Sequence, residues 1–233
     1  MDNKKKGPAK QTPPDAEVLK AVRELPQTTK SRFRLLLEPK TIEEVLTRCF
    51  YAVGSERGTE IVIDECDKRA LAHIAEMLTH PESLIGFVFS GSYDSGKTTF
   101  MLVFQKFLCL LKKHPKAWEY QEINSLDCKF IRAEEFRYPL ASYETFEEAA
   151  KAPVLFLDNL GYEEEYTNER LAKTLVKTLI RFRSDNRLLT LIATPFDPQT
   201  IRETYGIEVA HRLFTDYFWC DCFRVESSNT KHP

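Results

Sequence analysis

A chain of 233 residues with 42% hydrophobic content can bury one substantial α/β core, so one main domain is expected. Its 33 Lys and Arg against 35 Asp and Glu leave a net charge of -2, which excludes a global attraction to nucleic acid or anionic membranes and confines any nucleic-acid surface to a local patch. No run of about 18 apolar residues occurs and no apolar segment follows Met1-Asp-Asn-Lys-Lys-Lys6, so neither a membrane span nor a signal peptide is expected and the cytoplasm is the expected location.

Residues 1–16, with Lys4, Lys5, Lys6 and prolines at 8, 13 and 14, have too little apolar surface to offset ordering entropy and are expected to be a disordered basic tail. A short helix is expected over 17–25, stopped before Pro26. Thr41-Ile-Glu-Glu44 reads as a capping box opening a helix with Ile42, Val45, Leu46, Cys49, Phe50 and Val53 on one face, ended by Gly54 and Gly58. Residues 1–58 are therefore expected as a partly disordered basic tail with a helical docking arm.

Residues 61–63 read as extended and 68–78 as helix. A buried strand over 87–90 then leads into Gly91, Ser92, Tyr93, Asp94, Ser95, Gly96, Lys97, Thr98 and Thr99, and residues 99–111 carry Phe100, Val103, Phe104, Phe107, Leu108 and Leu111 at helical spacing. Strand, glycine-bounded turn and Lys-Thr helix start together describe a P-loop. Glycines at these positions let successive backbone N–H groups point at phosphate oxygens, and the helix N-terminus adds its positive dipole end. Lys97 would reach the β- and γ-phosphates of ATP, and the Thr98 hydroxyl would join the Mg²⁺ shell.

Strand 129–132 and a helical turn over 146–151 come next, then a continuous apolar run over 153–158 that suits a central parallel strand. Its last residue, Asp158, stands at the carboxyl end of that strand, where open α/β sheets place ligands, and is the candidate second Mg²⁺ residue. After Asn159 comes an acidic cluster, Glu163, Glu164 and Glu165, expected as a solvated loop, then a helix over 168–183 and a buried strand over 188–194 ending at Thr194 before Pro195. Short helices over 199–204 and 208–214, the second bearing Arg212, precede a last strand over 218–225. The six cysteines form no CxxC pair, which argues against a zinc module, and Cys220 and Cys222 are expected to pack in the core. Arg181, Arg183 and Arg187, together with the tail lysines, form the densest basic groups near an aromatic, Phe182, so any binding to single-stranded DNA is expected to be weak and strongly salt-dependent; the alternative is a solvated helix end.

In order and spacing, residues 91–98, Leu157-Asp-Asn-Leu-Gly161, Asn168-Glu-Arg-Leu171, Thr190-Leu-Ile-Ala-Thr194 and Tyr205-Gly-Ile-Glu-Val-Ala-His-Arg-Leu213 resemble the DnaC/IstB-like AAA+ ATPases. The resemblance covers roughly residues 60–225 and implies an α/β P-loop NTPase core with a five-stranded parallel sheet in the order 5-1-4-3-2. It implies an ATP-binding domain over 59–226, with 227–233 as a flexible C-terminal tail. By the same resemblance Lys97, Thr98 and Asp158 hold nucleotide and Mg²⁺, Arg212 matches the arginine finger that acts on a neighbouring subunit's nucleotide, and Arg224 resembles the second sensor arginine.

Two departures bear on the chemistry. Asn159 stands where the family usually has Asp or Glu and can orient a water but not accept its proton, so slow hydrolysis is expected. Pro195 stands at the polar sensor position, which leaves Thr194 as the neighbouring hydroxyl. Family members include helicase loaders and the ATPase partners of transposases. The leading expectation is an ATP-regulated loader that assembles as a homo-oligomer on a replicative helicase; the alternative is a transposition-type ATPase that assembles on DNA and recruits a transposase. A small-molecule kinase is disfavoured because Arg212 and Arg224 lie beyond the last sensor strand rather than in a lid between helices.

Overall fold

The computed structural model describes residues 33–63, 65–80, 85–93, 95–120, 123–137, 139–162 and 169–222. The tail lysines, the helix expected at 17–25, Asp94, the acidic cluster at 163–165, Arg224 and the tail at 227–233 lie outside them. A two-residue strand, β1 (Arg34–Leu35), leads into helix α1 (Pro39–Glu56). Pro39, with its fixed φ, suits the first helical position after an extended Glu38, so the expected capping box at Thr41 lies inside the helix and makes no cap.

On α1, Ile42, Leu46, Cys49, Phe50 and Val53 recur at helical spacing and are buried. They join one core cluster with α2 (Glu65–Thr79) and α3 (Lys97–Leu111), Phe50 meeting Phe100 edge-on at 4.7 Å. The helix expected as an outlying arm is thus a layer of the core, since its apolar stripe is covered by α2 and α3. Gly54 does not end it but sits in its last turn, where a Cβ would come within 2.7 Å of the Ile61 side chain. Residues 61–63, expected as extended, form no strand.

The remaining elements are β2 (Gly86–Ser90), β3 (Trp118–Glu119), β4 (Cys128–Arg132) with a 3₁₀ turn (Ala133–Arg137), α4 (Pro139–Lys151), β5 (Val154–Asp158), α5 (Glu169–Asp185), β6 (Leu189–Thr194), α6 (Pro198–Tyr205), α7 (Ile207–Thr215) and β7 (Tyr217–Asp221). Five of the strands form a parallel sheet in the order β4-β5-β6-β2-β7. Numbered within that sheet alone, its strands read 5-1-4-3-2 from the β7 edge. Two strands not anticipated, β1 and β3, pair antiparallel apart from it, with Arg34 and Glu119 2.7 Å apart across the pair. Strands of two residues leave no alternation to read.

Alternate residues divide between two faces, as a pleated strand requires. Val154 and Phe156 of β5 belong to the core cluster that holds α1, α2 and α3, whereas Leu155 and Leu157 belong to the cluster that holds α4, α5, α6 and α7. Both faces of β2, β5 and β6 are covered, which accounts for their unbroken apolar runs. Cys220 is buried in the first cluster and Cys222 packs against it, as core thiols; burial pushes the Cys220 thiol up to about 12.

Gly86 opens β2 where no side chain fits: a Cβ would lie 2.0 Å from the Thr190 carbonyl oxygen and 2.8 Å from the Tyr217 ring. Gly86→Ala should therefore cost about 2–3 kcal/mol or more, read as a lower urea midpoint, because backbone on the neighbouring strand cannot give way. A midpoint shift equivalent to less than about 0.5 kcal/mol would show that the strand yields.

At the opposite end of the sheet from Thr194, Arg183 of α5 is fully buried. Its Nη1 donates to the carbonyls of Ala149 (2.7 Å) and Ala152 (2.8 Å), its Nη2 to Leu189 (2.8 Å) and its Nε to Thr190 Oγ1 (2.8 Å). Burial lowers its pKa to about 10, which leaves it charged at neutral pH. This removes Arg183 from the basic surface patch expected at 181–187. Arg181 is exposed but pairs with Glu208 at 2.9 Å.

Candidate functional site

The carboxyl ends of the parallel strands open into a cleft of about 660 Å³. At its floor β2 hands over to the phosphate loop. Gly91 has φ 154 and a Cβ there would meet Ser95 Oγ at 2.6 Å; Gly96, with φ 88, is left-handed at the N-cap of α3. The two glycines thus stand where the backbone requires them. Lys97 folds over the loop, its Nζ donating to the carbonyls of Gly91 (2.7 Å) and Ser92 (2.6 Å) and lying 3.3 Å from Ser95 Oγ. Tyr93 is exposed at the loop tip, and the root of the loop is held by β7: Trp219 Nε1 donates to Ser90 Oγ at 2.8 Å, and that hydroxyl donates to Asp221 at 2.7 Å.

Beside the loop, Thr98 Oγ1 donates to Asp158 Oδ2 at 3.2 Å. Burial pushes the Asp158 carboxyl above its ordinary value; the Asn159 N–H at 2.9 Å, the Thr98 hydroxyl and the Arg132 charge oppose that. Two hard oxygen donors side by side, next to the glycine-bounded loop, fit Mg²⁺, which takes one or two protein oxygens and completes its octahedron with phosphate oxygens and waters.

Of the remaining expected residues, Asn159 lines the cleft in a left-handed conformation, φ 59, its Nδ2 donating to Glu134 Oε1 at 3.2 Å. Thr194 does not reach the cleft. It is fully buried, its hydroxyl donating to the Leu160 carbonyl at 2.8 Å and accepting from the Phe196 N–H at 3.1 Å, so it fixes the turn after β6 instead of sensing a phosphate. Arg212 is also outside its own subunit's cleft: on α7 it donates to Asp185 at 2.5 Å and lies 3.6 Å from Glu208. Thr99, next to the expected Mg²⁺ residue, accepts a hydrogen bond from Arg57 at 2.8 Å.

Arg57, Arg132, Glu134 and Tyr162 line the cleft and were not singled out in the sequence. For Arg132 and Glu134 a signal was available. Arg132 ends the strand next to β5 and pairs in register with Asp158, so the residues just after it emerge beside the site. Arg57 had none, since its place depends on α1 packing against α3.

No protein-family model and no curated protein matches the sequence. Among solved structures, the fold is similar to the DnaC helicase loader, with 16% identity, a TM-score of 0.51, and 68% of this chain and 91% of that one covered. A Streptococcus pyogenes serotype M3 protein described as a primosome component matches at 15% identity and a TM-score of 0.51, over 70% of this chain and 85% of that one. The replication initiator DnaA, bound to AMPPCP and single-stranded DNA, matches at 15% identity and a TM-score of 0.50, over 80% of this chain and 51% of that one. The fold expected from the motifs is the one observed: a five-stranded parallel sheet flanked by helices, similar to the solved structure of the DnaC helicase loader.

Proposed function

We propose that this chain is an ATP-binding AAA+ ATPase of the helicase-loader type, in which ATP with Mg²⁺ controls assembly of several copies on a replicative helicase. The observation that carries the reading is the meeting of Lys97, Thr98 and Asp158 at one cleft, on a glycine-bounded loop at a helix start. The loader assignment draws on the fold shared with the DnaC helicase loader. Asn159 cannot take a proton from water, so turnover is slow unless another carboxylate serves. With Arg183 buried and Arg181 paired, the case for a DNA contact at 181–187 is weaker than its composition suggests.

Mg-ATP at about a hundred times its Kd should stabilise the protein by about 2.7 kcal/mol and raise Tm by about 5–10 °C. Lys97→Ala should abolish that shift, since the triphosphate loses a charge-assisted partner. Equal shifts for wild type and variant would refute the nucleotide site. The loader reading predicts that a replicative helicase is retained by the immobilised wild-type chain with Mg-ATP and released by Lys97→Ala.

A further inference from the structure

Glu134 stands in the cleft without a part in nucleotide or Mg²⁺ binding as described so far. It belongs to the 3₁₀ turn that follows β4, and the pairing of Arg132 with Asp158 sets that turn level with the residue after Asp158. Its Oε1 accepts the Asn159 amide hydrogen bond at 3.2 Å, while its Oε2 is buried with no hydrogen-bond partner among the described residues. A buried, unpaired carboxylate oxygen is costly to maintain, and its lone pairs are left without a donor.

We propose that Glu134 is the catalytic carboxylate of ATP hydrolysis and that Asn159 is its positioning residue, an inference that rests on the ATPase reading above. Among the described residues, the other groups at the cleft are unsuited to the task. The Asp158 oxygens are engaged by the Thr98 hydroxyl and the Asn159 N–H, and Asn159 itself has an amide of no useful basicity. What Asn159 does supply is direction. Its left-handed backbone, which Asn tolerates better than most residues, turns the side chain toward Glu134, and the donated hydrogen bond fixes which carboxylate oxygen is occupied and which is left.

The step balances without a further reactant. The water oxygen forms a bond to the γ-phosphorus as its proton passes to the Glu134 carboxylate. The bond from that phosphorus to the β,γ-bridging oxygen breaks, and its electron pair remains on ADP. Glu134 then returns the proton to the solvent, which leaves ADP and inorganic phosphate.

Glu134→Gln keeps the size of the side chain and an acceptor for Asn159 but removes the proton acceptor. The experiment measures affinity for a fluorescent ATP analogue with Mg²⁺, phosphate release and Tm on the full chain, at a concentration where the wild type turns over. Affinity and Tm should hold, affinity within about threefold, while kcat falls about a hundredfold or more with KM unchanged. A variant with wild-type affinity and a kcat within about threefold of wild type overturns the assignment. If Glu134→Gln lowers Tm, the decision passes to Glu134→Ala with formate as a replacement carboxylate. A rise in phosphate release of at least about tenfold supports the proposal, and no rise overturns it. A wild type that binds the analogue but never releases phosphate overturns the role of Glu134 and leaves nucleotide binding standing; a wild type that binds no analogue overturns both.

Discussion

Mixing Lys97→Ala and Arg212→Ala chains should restore ATP hydrolysis that neither performs alone. A Lys97→Ala subunit cannot hold ATP but still offers Arg212, and an Arg212→Ala subunit holds ATP but has no guanidinium to offer, so the mixture contains complete composite sites. Arg212 lies on α7, outside the lining of the cleft, so on the proposed reading it would act on a neighbouring subunit's nucleotide and not on its own. Asp185 and Glu208 hold its side chain, and its Nε is buried with no partner among the described residues. A neighbour's triphosphate presents several anionic oxygens, and to engage the guanidinium it has to compete with these two carboxylates. An arginine supplied across an interface to the charge developing on a γ-phosphate is worth about 10³-fold or more in rate. Arg212→Ala should therefore lose about that much turnover while its nucleotide affinity stays near wild type, and wild-type specific activity should fall on dilution. If activity per subunit is flat across a dilution series, with and without partner or DNA, and the mixture shows no rescue, Arg212 is an ordinary ion-pairing residue on α7.

The second large effect is on folding. Replacing Arg183 by Ala should destabilise the chain by about 4 kcal/mol or more, read from the urea midpoint, because the buried carbonyls of Ala149, Ala152 and Leu189 lose their donor and a cavity opens around them. Arg183→Lys should fail almost as badly. An ammonium has three donors on one atom and cannot reproduce a planar fork that spans the end of α4 and the start of β6. Because the site has no carboxylate in its hydrogen-bond set, neither change strands an opposite charge. A loss under about 1 kcal/mol for Arg183→Ala would mean that water enters and serves those carbonyls instead.

Much of this was legible in the sequence for a physical reason. The sheet strands are covered on both faces and so appear as apolar runs, and the phosphate loop is local, its glycines, Lys97 and Thr98 falling within a few residues of one another. What could not be read depends on contacts between distant parts of the chain. Arg183 and Arg181 look alike as letters, yet one is buried among carbonyls and the other paired at the surface. Thr194 was expected to serve the site by default, since Pro195 could not, but a hydroxyl at the end of a buried strand is as readily used to bind a turn, and Leu160 and Phe196 take it. The helix at 39–56 was separated from the core because glycines at 54 and 58 look like a boundary, whereas Gly54 marks a close approach to Ile61.

The sheet order also sets a timetable for synthesis. β2, the strand that leads into the glycine-bounded loop, is made early, but its neighbours are β6 and β7, the last two strands among the described residues. Until Tyr217–Asp221 has left the ribosome, Phe87, Val88 and Phe89 lack one or both of the strands that flank them, and Ser90 lacks the Asp221 and Trp219 side chains that fasten the loop. A nascent chain therefore carries the apolar stretch 87–89 before the strands that cover it have been made, and long-range strand pairing of this kind is slow to form.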